Sequence, residues 1–349
     1  MKKHFIWSIL FASSILFSCE DETTTATSEV NSEDAKAEIN SLANQASQDV
    51  TRLTESEGVN GALDLLQLLE EFDFNARKSD AEGVRDQLHS IAQYFVYGPS
   101  SRVGDEEPFS FEDIKGMYEW NPETKSFDKS SSDFFIVRFP TDSSDSNDAE
   151  LKISNLQFVT IVENYDGFVD EYQVPTRING YLKIDEVEVI RLDFTAEWTD
   201  NGFPERADVV LLVSPFTFTI GFNNTFPLSS SLVTSVKLED EVIVGMDVDV
   251  DFQTEAKEEP KFVEGFVQYY NLKISGSADV PSDADAENID INEFVNLVLL
   301  LDDEKIGDIV FEEDLAYVVY EDGSRELLEE ILEPVIEDIE ELLEELEGE

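Results

Sequence analysis

Residues 241–252 read EVIVGMDVDVDF, and the spacing within that stretch decides the fold class. Val242, Val244, Met246, Val248, Val250 and Phe252 take every second position, and Asp247, Asp249 and Asp251 stand between the later ones. A strand repeats every two residues, so this pattern sends the apolar side chains to one face and the carboxylates to the other. One buried face and one wet face is the habit of an antiparallel sheet.

The same period runs outward in both directions. Leu182, Ile184, Ile190, Leu192, Phe194, Ala196 and Trp198 fall on one predicted face, and Val210, Leu212, Phe216, Phe218, Ile220 and Phe222 continue it. Tyr118 and Trp120 lead into the turn signal Asn121-Pro122, and Phe134 to Phe139 form a strand closed by Pro140. Residues 141–148 are a polar loop and Asp200-Asn201-Gly202 a turn. Before this region the period is helical. Ile39, Leu42, Ala46, Val50 and Leu53 make one stripe, Leu63, Leu66 and Leu69 a second, and Val84, Leu88, Ile91 and Phe95 a third. After it come a predicted helix near 292–301, two short strands near 307–320, and an acidic helix. The stripe of that last helix is Leu328, Ile331, Val335, Ile339, Leu342 and Leu346, with a kink at Pro334.

The fold expected is α+β: a long antiparallel sheet, half-barrel or cradle-like, covered by amino- and carboxy-terminal helices. Residues 35–97 form its helical segment, 98–280 its sheet and 281–349 a mixed carboxy-terminal segment, all within one domain. A curved sheet with helices in its concavity resembles the cradle of periplasmic lipoprotein and lipid carriers, which implies a hydrophobic ligand.

The amino terminus reads MKKHFIWSILFASSILFSCEDETTT. Lys2 and Lys3 form a positive region ahead of the apolar run Phe5 to Phe17, which is short for a transmembrane helix. Leu16-Phe17-Ser18-Cys19 resembles the lipobox of bacterial lipoproteins, with the bulky Phe17 a departure at its second position. The resemblance implies cleavage after residue 18 and acylation of Cys19, the only cysteine in the chain. With the acidic residues that follow Cys19, it implies an outer-membrane protein held by its lipid anchor, on a periplasmic or surface-exposed face. Residues 19–34 are acidic, rich in Thr and Ser and poor in apolar groups, as a flexible tether is. Glu20-Asp21-Glu22 resembles the export tag of surface lipoproteins in Bacteroidota; a merely solvated tether is the other reading.

Composition narrows the chemistry. The chain has 79 acidic and 23 basic residues; loss of residues 1–18 removes two lysines and leaves a net charge of −58. Nucleic acid is excluded as a partner, because a phosphate backbone needs a basic footprint. The acidity suits either divalent cations or a salty surrounding in which counter-ions screen it. With 25 Phe and 41% hydrophobic residues, a large core is available. His89 is the one histidine left after cleavage, so multi-histidine metal sites and Cys–His pairs are out. Asp283, Asp285 and Glu287 imitate the start of an EF-hand loop, but Asn288 stands where Gly belongs and Phe294 where a bidentate Glu belongs. Calcium on these acids, or on Asp247, Asp249 and Asp251, competes with an acidic helix cap and a solvated strand face. No catalytic residue is assigned. The expected role is non-enzymatic binding or structure in the cell envelope, toward a protein or a hydrophobic ligand. The alternatives are a carboxylate-dependent hydrolase acting on glycans and a lipid carrier.

Acylation at Cys19 is directly testable: cells fed an alkyne fatty acid should label the wild-type protein and not Cys19→Ala. Label retained on the alanine variant would refute the anchor.

Overall fold

The computed structural model describes residues 32–70, 111–142, 144–165, 168–257, 259–280, 290–312 and 315–331. Helices α1 (Ser32–Thr54), α2 (Glu57–Glu70) and the single turn α3 (Phe111–Ile114) precede the strands. These are β1 (Gly116–Asn121), β2 (Ser126–Ser130), β3 (Phe135–Phe139), β4 (Ala149–Tyr165), β5 (Phe168–Ile184), β6 (Val187–Trp198), β7 (Pro204–Val213) and β8 (Phe216–Asn223). They continue as β9 (Ser229–Leu238), β10 (Glu241–Phe252), β11 (Pro260–Tyr269), β12 (Leu272–Asp279), β13 (Val295–Leu301), β14 (Glu304–Glu312), β15 (Leu315–Tyr320) and β16 (Arg325–Leu327). From β3 to β16 each strand hydrogen-bonds to the next in the chain, and the order ends β4–β3–β1–β2. The paired ladders from β3 to β7 and from β9 to β16 are antiparallel; β1 joins β3 in parallel and β2 in antiparallel fashion. Contacts divide the chain into two compact units, Leu53–Gly221 and the pair Met1–Arg52 with Phe222–Glu349.

In the first unit the β4–β5–β6–β7 register stacks Leu151, Leu182, Ile190 and Val213 in one row. Phe135, Val137 and Phe139 of β3 lie opposite Ile153, Leu151 and Ala149, and all five of these flanking positions apart from Leu151 are buried. Tyr118 and Phe127 complete the same core, with Trp120 packed half-buried against it at 5.3 Å from the Phe127 ring. Helix α2 starts at Ser56, whose side chain accepts from the Val59 amide at 3.3 Å, a Ser N-cap. Its buried face is Gly58, Gly61, Leu65 and, partly, Leu68. Leu63 and Leu66 are 51% and 55% exposed. Leu63 and Leu66 of the expected stripe therefore lie on the outer side of this helix. Glycine supplies the reason. A Cβ on Gly58 would lie 2.8 Å from the Val189 carbonyl oxygen, and one on Gly61 2.6 Å from Ile184 Cδ1. The helix backbone approaches β5 and β6 more closely than any larger side chain permits.

In the second unit the sheet is one-sided as the alternation predicts. Val248, Gly265, Gly276, Leu297 and Ile309 share one row, and Met246, Val267, Ile274 and Leu299 another. Leu299 and Val263 are fully buried, each worth roughly 1.5–3 kcal/mol in transfer free energy. Ala35, Ile39 and Leu42 of α1 belong to this core, as does Ile331. Val248 and Val250 pack half-buried against it, while Asp249 and Asp251 are exposed. A β-bulge between Val242 and Val244 breaks the expected stripe at its start, and Ile243 is the buried residue there.

Two further expectations are corrected. The apolar run at 292–301 is a strand rather than a helix: a short 3₁₀ turn, Ile291–Glu293, leads into β13, in which Leu297, Leu299 and Leu301 are buried in alternation. An apolar run of this length suits either period, and the free ladder positions of β12 and β14 capture it. On β7, Val209, Leu211 and Val213, not Val210 and Leu212, face the core side. Register places Val210 opposite Asp193 and Leu212 opposite Arg191. The run Val209–Val213 has no period of its own, so hairpin register alone orients it. The third expected helix, His89, Asp283, Asp285, Glu287 and Cys19 lie outside the described residues.

Gly58→Ala should destabilise the protein by about 1–3 kcal/mol through overpacking, although alanine is the better helix former. Leu63→Ala should change stability by less than about 0.5 kcal/mol, as surface substitutions do. Chemical denaturation of both variants checks the assignment of faces; the reverse ranking would refute it.

Candidate functional site

The outward face of β3–β7 concentrates polar side chains. Six of the 23 basic residues, Arg138, Lys152, Arg177, Lys183, Arg191 and Arg206, fall between positions 138 and 206. Strand alternation projects them away from the core that Ile178, Leu182 and Ile184 enter.

Near β3 this face is cross-linked. Arg138 Nε donates to Glu150 Oε2 at 2.8 Å and the Tyr181 hydroxyl donates to Glu150 Oε1 at 2.9 Å. Burial pushes the Glu150 carboxyl up, but the hydrogen bonds from Arg138 and Tyr181 outweigh it and leave the carboxyl below its usual range. Burial first, and then the bond to Glu150, pushes Tyr181 up to about 12. The Lys152 ammonium sits 4.0 Å from the Phe134 ring centroid and that of Lys183 4.8 Å from the Tyr181 ring. A second chain runs from Asn155 to Asn179 (3.3 Å), on to Asp193 (2.8 Å), and through Arg191 (3.2 Å) to Glu188 (3.2 Å).

One row further along, the cross-links stop. Gln157, Arg177, Thr195 and Asp208 lie side by side across β4, β5, β6 and β7. With Thr176, Glu197 and Arg206 they line an open cleft of about 460 Å³. The β4–β5 register shifts at Gln157/Phe158, leaving Thr176 as the extra residue of a bulge, a device that re-aims side chains at sites. Arg206 is held by Asp208 at 2.9 Å and stands opposite Glu197 in the ladder. Among the described residues, the side chains of Gln157, Thr176, Arg177 and Thr195 have no hydrogen-bond or ion-pair partner. Trp198, just beyond, is half-buried and donates its indole N–H to the Pro175 carbonyl at 2.9 Å.

The second unit holds two tight polar contacts. Asp49 is buried on α1 and accepts from the Tyr270 hydroxyl at 2.7 Å and the Tyr269 hydroxyl at 3.4 Å. Burial, and then the bond to Asp49, pushes Tyr270 up to about 12. Lys257 donates to the carbonyls of Asn224 (2.8 Å) and Ser229 (2.9 Å), tying together the loops between β8 and β9 and between β10 and β11. Asp247, Asp249 and Asp251 form a flat row on the wet face of β10. Burial, followed by the two flanking acids, raises the Asp249 carboxyl. Alternate strand residues stand about 6.6 Å apart, so three carboxylates in a row do not converge on one ion. Among the described residues no group of three or more His, Cys, Asp or Glu is disposed to hold a metal. Nor is any described helix long and apolar enough to cross a membrane.

None of the polar cleft residues is singled out by sequence reasoning; Ala196 is, as part of an apolar strand face. Gln157, Arg177, Thr195 and Asp208 are separated by 13 to 20 positions along the chain, and three successive hairpins bring them into one row. Comparison of the chain with protein-family models, with curated proteins and with solved structures finds no match in any of the three.

The tyrosines give a pH signature. Tyr181 and Tyr270 hold their protons to about 12, above the ordinary value of 10. Their contribution to stability is therefore full below pH 10 and lost as pH rises from 10 to 12. Tyrosinate absorbance should show a late phase near pH 12 that shrinks in Tyr181→Phe and in Tyr270→Phe. A late phase of unchanged size in both variants would refute the assignment.

Proposed function

We propose that this is a lipid-anchored protein of the cell envelope that binds a polar ligand on the outward face of its sheet without transforming it. The observation that carries the reading is the cleft, where polar side chains without partners adjoin a face otherwise cross-linked. Unpaired donors and acceptors gathered in a concavity are what a ligand completes. The anchor rests on the lipobox-like leader ending at Cys19, and an outer-membrane, outward-facing position on Glu20-Asp21-Glu22. In this reading the sheet is the cradle-like scaffold and helices cover its apolar side. The contacts of Ala35, Ile39 and Leu42 in one unit and of Leu65 in the other support that cover.

A second reading has an observation of its own. Glu197 and Asp208 both line the cleft, and two carboxylates across a polar cleft are the minimal equipment of a glycoside hydrolase. Asp208 is committed to Arg206 at 2.9 Å, which favours binding over acid–base work. The mature protein, incubated with neutral and acidic polysaccharides, should release no new reducing ends. Release that disappears in both Glu197→Gln and Asp208→Asn would replace the binding reading with the hydrolytic one.

A further inference from the structure

We infer that the cleft recognises an acidic saccharide, and that Arg177 is the residue that takes its carboxylate. This deepens the binding reading above and rests on it. The chain has more than three acids for every base, so an arginine has no shortage of partners. Arg52 is paired with Asp49, Arg138 with Glu150, Arg191 with Glu188 and Asp193, Arg206 with Asp208, and Arg325 with Glu312. Among the described arginines only Arg177 is left without a partner, and it stands in the cleft. Of the two acids in the lining, Asp208 is bound to Arg206, and Glu197 stands opposite Arg206 in the β6–β7 ladder, not opposite Arg177, whose neighbour on β6 is Thr195.

The surroundings of Arg177 select the rest of the ligand. Its neighbours in the row are Gln157 and Thr195, both neutral and both able to donate and accept. The bulge adds the Thr176 hydroxyl. A planar guanidinium matches a carboxylate by two parallel hydrogen bonds, and flanking hydroxyl and amide groups match sugar hydroxyls. Among the described residues Ala196 is the only apolar one in the lining, so none of them anchors a lipid chain or a large apolar side chain. The strands beneath the cleft, β4 to β7, are interior to the ladder with both edges paired. A peptide therefore has no free edge there to extend. The cleft volume of about 460 Å³ lies inside the range of small-ligand sites, roughly 300–1,000 Å³. The net charge of −56 repels a polyanion at long range. A short uronate, met locally at about 0.15 M salt where the Debye length is about 8 Å, escapes most of that field.

The test is calorimetric titration of the full mature protein with trigalacturonate, with its carboxyl-reduced neutral counterpart, and with an acidic peptide. Trigalacturonate should bind, and the neutral trisaccharide should bind at least about tenfold more weakly. Arg177→Ala should lose at least about tenfold for trigalacturonate and little for the neutral sugar, Arg177→Lys should recover part of the loss, and Arg325→Ala should bind as wild type does. Equal binding of the acidic and neutral sugars, or unchanged binding by a folded Arg177→Ala, overturns the inference while leaving a polar-ligand site standing. Tighter binding of the peptide overturns the saccharide. Binding of none of the three overturns this inference and the binding reading together.

Discussion

Hairpin register is the constraint on which the rest of this molecule depends. With a side-chain period of two, a slip of one residue would exchange the core for the solvent face along an entire strand. Tight turns hold the register. Asp185 and Glu186, between β5 and β6, both have positive φ (48° and 67°), as do Asp302 and Asp303 between β13 and β14 (53° and 62°). Two left-handed residues in succession give a hairpin turn the twist of its strands. Non-glycine residues bear that conformation at some cost, which the long ladders on either side offset: β4 and β5 are each 17 residues.

Register also explains why the wet face is not uniform. Arg138, Glu150 and Tyr181 come from three consecutive strands, and so do Asn155, Asn179 and Asp193. Each set forms because cross-strand neighbours stand about 5 Å apart, close enough for direct hydrogen bonds. At the next row, the bulge at Thr176 interrupts the β4–β5 pairing, and the side chains of Gln157, Arg177 and Thr195 make no cross-strand hydrogen bond. A sheet this long has many outward positions. What distinguishes these is the break in an otherwise closed set of hydrogen bonds.

The sequence made the sheet legible where apolar and polar residues alternate strictly. Val244 to Val250 lie on one face as the spacing predicts, and Ile39, Leu42 and Ala46 on the buried side of α1. It was ambiguous where apolar residues run together. Val209–Val213 and Val295–Leu301 carry no period, so their orientation, and for the latter even its secondary structure, comes from neighbouring strands. It misled where close packing rather than hydrophobicity chose the face. Gly58 and Gly61 contribute no apolar area, yet the helix rests on them because only there can backbone approach strand.

By itself the sequence determined an antiparallel sheet with one apolar face, helices ahead of it, a net charge that repels nucleic acid, and a supply of only two histidines and one cysteine. These follow from composition and from local periodicity, which are properties of neighbouring residues. The cleft, the cross-strand pairs Arg138–Glu150 and Arg325–Glu312, and the burial of Asp49 beneath Tyr270 were decided only by tertiary structure. Each joins residues from separate strands or from a helix and a distant turn, 220 positions apart in the case of Asp49 and Tyr269. Periodicity assigns a residue to a face, but only register and packing determine which residues it meets there.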